Sequence, residues 1–157
     1  MVEYIKKNAM ERKNQDNRTM IDKLIGINQN RLIGYSTIAS YLQQKTDEDV
    51  LALVEKRMQQ AQQFKSQLIP FGSQESQKDE QQDSKYITWP ISPKETKEVR
   101  ERSDLINICV AAEKENVEIY QQVVSDSPGM EETLSRMIES QLEKLQQTIT
   151  SLEKYKT

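Results

Sequence analysis

Histidine is absent from this chain of 157 residues, and cysteine occurs once, at Cys109. Without imidazole there is no Ser-His or Cys-His nucleophile pair. A single cysteine makes no internal disulfide, which fits a reducing, cytoplasmic setting. Apolar neighbours mark Cys109 as a small core residue and not a reactive thiol. Glycine and proline are scarce, at 4 each, and none of the glycines builds a Gly-rich phosphate loop. No stretch approaches the roughly 18 apolar residues of a membrane span. The opening "MVEYIKKNAMERKNQDNRT" has charges but no apolar core of a signal peptide. The net charge is −3, so no basic field is available to hold nucleic acid. These absences predict neither a membrane nor a nucleic-acid partner.

What remains is rich in Gln, Glu, Lys and Leu, a mixture that favours helices. Residues 1–17 are polar and aperiodic and read as an arm, or as a short frayed helix that docks on a partner. Residues 18–157 read as one bundle of four helices. The first spans about 19–44, opened by Thr19 and Asp22 in a capping-box pattern. Met20, Ile21, Leu24, Ile27, Tyr35, Ile38 and Leu42 recur along it at helical spacing. Gly26 and Gly34 interrupt it, and two readings are open: close approach of a neighbouring helix, or tolerated surface glycines. The second helix spans about 47–69 and stops at Pro70 and Gly72. A crossover linker follows over about 70–92, polar and low in complexity from 73 to 85. Trp89, in "YITWPISP", is expected to anchor that linker on the bundle. The third helix spans about 93–125, with Ser92 and Pro93 as start signals and a break near Ser103. The fourth spans about 128–154, opened by Ser127 and Pro128. The short, long, short order of connections suits parallel second and third helices. The fold class expected is all-α, an antiparallel four-helix bundle with a long crossover.

The two halves repeat. Tyr35 aligns with Tyr120 at an offset of 85, pairing Asn28 with Glu113 and Arg31 with Asn116. At an offset of 84, Glu55 aligns with Glu139 and Met58 with Leu142. Such a repeat describes two helical hairpins related by a pseudo-twofold axis.

A glutamate seven residues before a tyrosine, Glu113 and Tyr120, followed on the next helix by Glu139 at the place of a Glu-x-x-His motif, resembles the ferritin-like superfamily; Asn28, Tyr35 and Glu55 hold the matching positions of the first half. More narrowly, "LIGINQNRLIGY", "QQAQQFKSQL", Trp89 and "CVAAEKENVEIYQQVV" are similar to an uncharacterised bacterial family of ferritin-like four-helix bundles. The resemblance covers roughly residues 19–155. It implies the ferritin-like bundle with a crossover between the second and third helices, and it brings no assigned reaction. In metal-binding members each half supplies carboxylates and a histidine to a di-iron centre. Here the corresponding positions hold Asn28, Glu55, Met58, Glu113, Glu139 and Leu142. Glu55, Glu113 and Glu139 are therefore the only candidate ligands for iron or manganese, and without imidazole they do not reproduce the usual centre.

Glu113 falls on the inner face of its helix with Asn116, and Arg31 falls on the matching face of the first helix. Two arrangements are open. In one, Arg31 neutralises Glu113 inside a polar core layer of Asn28, Arg31, Gln62, Glu113, Asn116 and Gln141. In the other, Arg31 snorkels to solvent and Glu113 sits at the margin. The functional expectation is a non-enzymatic structural or interaction protein without cofactor, associating as a homo-oligomer, a dimer first. The alternative is a carboxylate-only metal-binding or oxidase-like relative.

Overall fold

The computed structural model describes residues 2–43, 47–73, 89, 101–127 and 129–156, with side chains from residue 16 onward. It is all-helical. The described residues form four α-helices: α1 (Val2–Gln43), α2 (Glu48–Leu68), α3 (Arg102–Asp126) and α4 (Glu132–Glu153). A short 3₁₀ turn, Ile69–Phe71, ends α2, as its proline and glycine predict. None of the described helices is long and apolar enough to cross a membrane.

Two expected boundaries are corrected. The first helix does not start at Thr19 but runs unbroken from Val2, so residues 2–17 are helix and not a separate arm. Asp22 does not cap a helix start; its carboxylate accepts the Ser73 N–H at 2.8 Å. Near the break expected at Ser103, Glu101 has extended backbone at φ −75, ψ 158, and the described part of the third helix opens at Arg102. Residues 90–100 lie outside the described residues, as do Ser92 and Pro93. The fourth helix opens at Glu132 and not near Pro128, because Gly129 sits at φ 85, a left-handed conformation that ends helical continuity. Ser127 donates instead to Met20 Sδ on α1 at 2.7 Å.

Hydrogen bonds between helices set their order. Between α1 and α2, Lys65 donates to Gln29 and Arg31 donates to Gln60, and just past the end of α2 Ser73 bonds Asp22. Residue numbers therefore fall along α2 as they rise along α1. Asp47, just before α2, takes a two-pronged contact from Arg102 at the start of α3, at 2.7 and 3.0 Å.

The core is in two apolar parts. One gathers Tyr35, Ile38, Leu42, Val54, Ile106, Cys109 and Leu152 with Trp89. The other gathers Leu24, Ile27, Phe64, Leu68, Tyr120, Ile138 and Leu145. Each fully buried aliphatic or aromatic side chain contributes on the order of 1.5–3 kcal/mol. Trp89 anchors the crossover as expected. It is 6% exposed and meets Tyr35 edge-on at 4.6 Å between ring centroids. Gly34 makes this possible, because a Cβ there would overlap the Trp89 ring. The close neighbour of Gly34 is thus a linker side chain and not another helix.

Candidate functional site: a buried polar layer

Between the two apolar parts lies a layer of polar side chains. Leu24, Asn28, Arg31 and Tyr35 follow one another on the inner stripe of α1 at spacings of three and four. On α3 the same spacing aligns Cys109, Glu113, Asn116 and Tyr120. Arg31 and Glu113 are both 0% exposed. Arg31 Nε donates to Glu113 Oε1 at 3.0 Å and to Oε2 at 3.1 Å. Of the two sequence alternatives, the buried pair is the one found.

Other groups complete the shell of each charge. Tyr35 Oη donates to Glu113 Oε2 at 2.9 Å, and Asn116 Nδ2 donates to Oε1 at 2.8 Å. A carboxylate offers about four lone-pair sites, so these four bonds leave Glu113 no free acceptor. Arg31 Nη1 donates to Asn28 Oδ1 at 3.0 Å and Nη2 to Gln60 Oε1 at 2.6 Å. The guanidinium also lies against the rings of Phe64 and Tyr35, at 5.5 and 5.9 Å.

The repeat read from sequence appears in these bonds. Tyr35 reaches Glu113, and in the other half Asn28 Nδ2 donates to Tyr120 Oη at 2.9 Å. Tyr120 passes the chain on, donating to Gln141 Oε1 at 2.7 Å. Gln141 Nε2 then donates to Gln67 Oε1 at 3.0 Å. A second branch runs from Gln60 to α4, where Thr148 Oγ1 lies 3.2 Å from Gln60 Oε1 and receives Arg57 Nη1 at 2.7 Å.

Electrostatics follow the burial. Desolvation is the largest single influence and lowers the Arg31 pKa, but the Glu113 charge and hydrogen bond, together with Tyr35 and Tyr120, outweigh it and hold the guanidinium above its ordinary value. Burial, then the Glu113 charge, pushes the Tyr35 hydroxyl well up. Burial raises Tyr120 as well, opposed by the Asn28 hydrogen bond. Cys109 is buried and its thiol is pushed up first by desolvation and then by Glu113. Arg57 is lowered, by burial first.

Five of the six residues expected in the layer are joined there: Asn28, Arg31, Glu113, Asn116 and Gln141. Gln62 is not. It is exposed and bonds Ser66 on its own helix at 3.4 Å. Its place is taken by Gln60, which the sequence reading missed together with the hydroxyls of Tyr35 and Tyr120, Arg57, Gln67 and Thr148. The signal for the α2 members is a stripe at 57, 60, 64 and 67, which faces α4.

No family model, curated protein or solved structure matches the chain. The site must be judged on its own geometry. The three carboxylates considered as metal ligands do not converge: Glu113 is buried, whereas Glu55 and Glu139 are exposed. Among the described residues no cluster of three Asp, Glu or Cys side chains is placed to hold a metal ion. Met58 and Leu142 are partly buried apolar side chains against the core. The donors around Glu113 come from α1 and α3, and the bonds of Arg31 to Gln60 and of Tyr120 to Gln141 carry the network on to α2 and α4.

Proposed function

We propose that this chain is a non-enzymatic ferritin-like helical bundle, a structural or interaction protein in which an Arg31–Glu113 layer stands where a di-iron centre would lie. The order of interhelix bonds supports the topology. Numbers run in opposite directions between α1 and α3, where Asn28 meets Tyr120 and Tyr35 meets Glu113. They do so between α2 and α4, where Arg57 meets Thr148 and Gln67 meets Gln141. Asp47 and Arg102 bring the starts of α2 and α3 together, which calls for a crossover along the bundle. All neighbouring helices are then antiparallel and the diagonal ones parallel, the ferritin-like pattern.

The observation that carries the functional reading is the complete hydrogen bonding of Glu113 by Arg31, Tyr35 and Asn116. A metal at that carboxylate has to displace a buried guanidinium, and cation beside cation is electrostatically unfavourable. The test is metal analysis of protein produced in medium supplemented with iron and manganese, with a ferrous-oxidation assay on the same sample. Metal far below one ion per chain and no oxidation are expected. Stoichiometric iron or manganese overturns the reading in favour of a carboxylate-only metal protein.

A further inference from the structure

Among the described residues the polar layer holds two guanidinium groups, Arg31 and Arg57, and one carboxylate, Glu113. Glu113 is fully taken up by Arg31, Tyr35 and Asn116. Arg57 is left without a counter-ion, since no ion pair of the described residues includes it. It is half-buried on α2, at the solvent side of the layer. Its Nη1 donates to Thr148 Oγ1 at 2.7 Å, whereas its Nε is buried without a hydrogen-bond partner. Arginine offers its donors as planar forks matched to two oxygens of an oxyanion. With Nη1 committed to Thr148, the fork on the Nε side is the open one. Burial first, and the Arg31 charge with it, disfavours the charged form of Arg57. An anion at the fork would reverse that effect.

The facing side of α4 brings a second cation. Gln141, Lys144, Thr148 and Ser151 follow one another there at spacings of three and four. Gln141 meets Gln67 on α2, and Thr148 meets Arg57. Lys144 lies roughly 6 Å along the axis from Thr148, about one turn. It is exposed, and no ion pair of the described residues includes it. Neither this stripe nor the stripe at 57, 60, 64 and 67 carries an Asp or Glu. We infer that the seam between α2 and α4 binds a phosphate-type oxyanion, two of whose oxygens accept from the open fork of Arg57 while a third faces Lys144. A tetrahedral anion suits this arrangement better than a carboxylate, which spends both its oxygens on one fork and leaves the second cation unmet. Shielding of Nε from water strengthens a charge-assisted bond formed there. The inference goes beyond the metal-free reading of the layer and makes no use of the Glu113 carboxylate.

The test is calorimetric titration of the full chain with inorganic phosphate and with glycerol phosphate, in chloride at constant ionic strength. Saturable binding of one anion per chain is expected, with a melting temperature that rises as the site fills. Tighter binding of the ester points to an esterified ligand, and tighter binding of inorganic phosphate to the free ion; both support the site. Arg57→Lys keeps the charge but loses the fork. It is expected to weaken binding by about tenfold or more, the loss of one charge-assisted hydrogen bond. Lys144→Gln weakens it by roughly threefold, as befits an exposed cation. Lys56→Gln, an exposed lysine beside Arg57 in sequence, leaves it unchanged. Helical circular dichroism confirms that each variant is folded. Absence of saturable binding to the unmodified protein overturns the inference. So does binding by Arg57→Lys within twofold of the unmodified protein, or a loss in Lys56→Gln equal to that in Arg57→Lys. Metal analysis reads Glu113 and phosphate titration reads Arg57, so failure of the anion site and failure of the metal-free reading are separable.

Discussion

Arg31 Nε is shared between the two carboxylate oxygens of Glu113, at 3.0 and 3.1 Å, with both side chains fully buried. A pair of this kind gives little net stability against an apolar replacement, because two ions have lost their water. Removing one member is different, since the survivor is left charged in a dry interior.

That asymmetry gives the first prediction. Arg31→Met and Glu113→Gln each cost about 3–5 kcal/mol. At roughly 2–4 °C per kcal/mol for a chain of this size, the melting temperature falls by roughly 6–20 °C. The double variant Arg31→Met, Glu113→Gln costs less than the two singles together, by about 1–3 kcal/mol. Thermal melts of the four proteins check it. Unchanged melting of Glu113→Gln would falsify the view that the pair is energetically coupled.

The second prediction concerns alkaline pH. Burial comes first in raising Tyr35, Tyr120 and Cys109, and the Glu113 charge adds to it. The folded protein keeps these protons at pH values where the unfolded chain releases them, near 9.0 for the thiol and 10.0 for the phenols. Their contribution to stability is complete below those values and is lost as pH rises through them toward the folded pKa. Melting temperature, followed from about pH 8 to about pH 11, is expected to start falling near 9 and to fall more steeply above 10. Cys109→Ala moves the onset up toward 10. A Cys109→Ala profile with the same onset as the unmodified protein sinks the assignment of the thiol.

Periodicity made the four helices, the inner stripe of Glu113 and the repeat legible, because each depends only on spacing along one helix. What it left open depends on which flank of a helix meets a neighbour. Gln60 and Gln62 stand on either side of Ala61, each about 100° away. Only the position of α4 decides that Gln60 turns inward toward Thr148 while Gln62 turns to solvent. The continuity of residues 2–17 with the first helix was hidden for a related reason. Thr19 and Asp22 resemble a start signal, but the helix runs on toward Val2 and Asp22 accepts the Ser73 N–H.

Gln60 and Gln62 therefore differ sharply on substitution. Gln60→Ala removes the acceptor of Arg31 Nη2, leaving a charged donor short of a partner at a cost of about 1–3 kcal/mol. Gln62→Ala changes an exposed position and stays within about 0.5 kcal/mol. Urea titrations of both variants check the contrast, and equal midpoints would contradict the observed layer.

Gly34→Ala separates helix propensity from packing. On propensity alone the substitution stabilises α1 by about 1 kcal/mol. The added Cβ, however, overlaps the Trp89 ring that rests on Gly34 and against Tyr35. Overpacking of this kind costs about 1–3 kcal/mol, and the indole can relieve it only by leaving its buried position. Net destabilisation is expected, with a red-shifted and more quenchable emission, which reports this position alone because Trp89 is the single tryptophan. Pairing Gly34→Ala with Trp89→Ala removes the overlap, so in that background the alanine is expected to stabilise the helix. If Gly34→Ala alone raises stability with unchanged emission, Trp89 does not sit on Gly34 in solution.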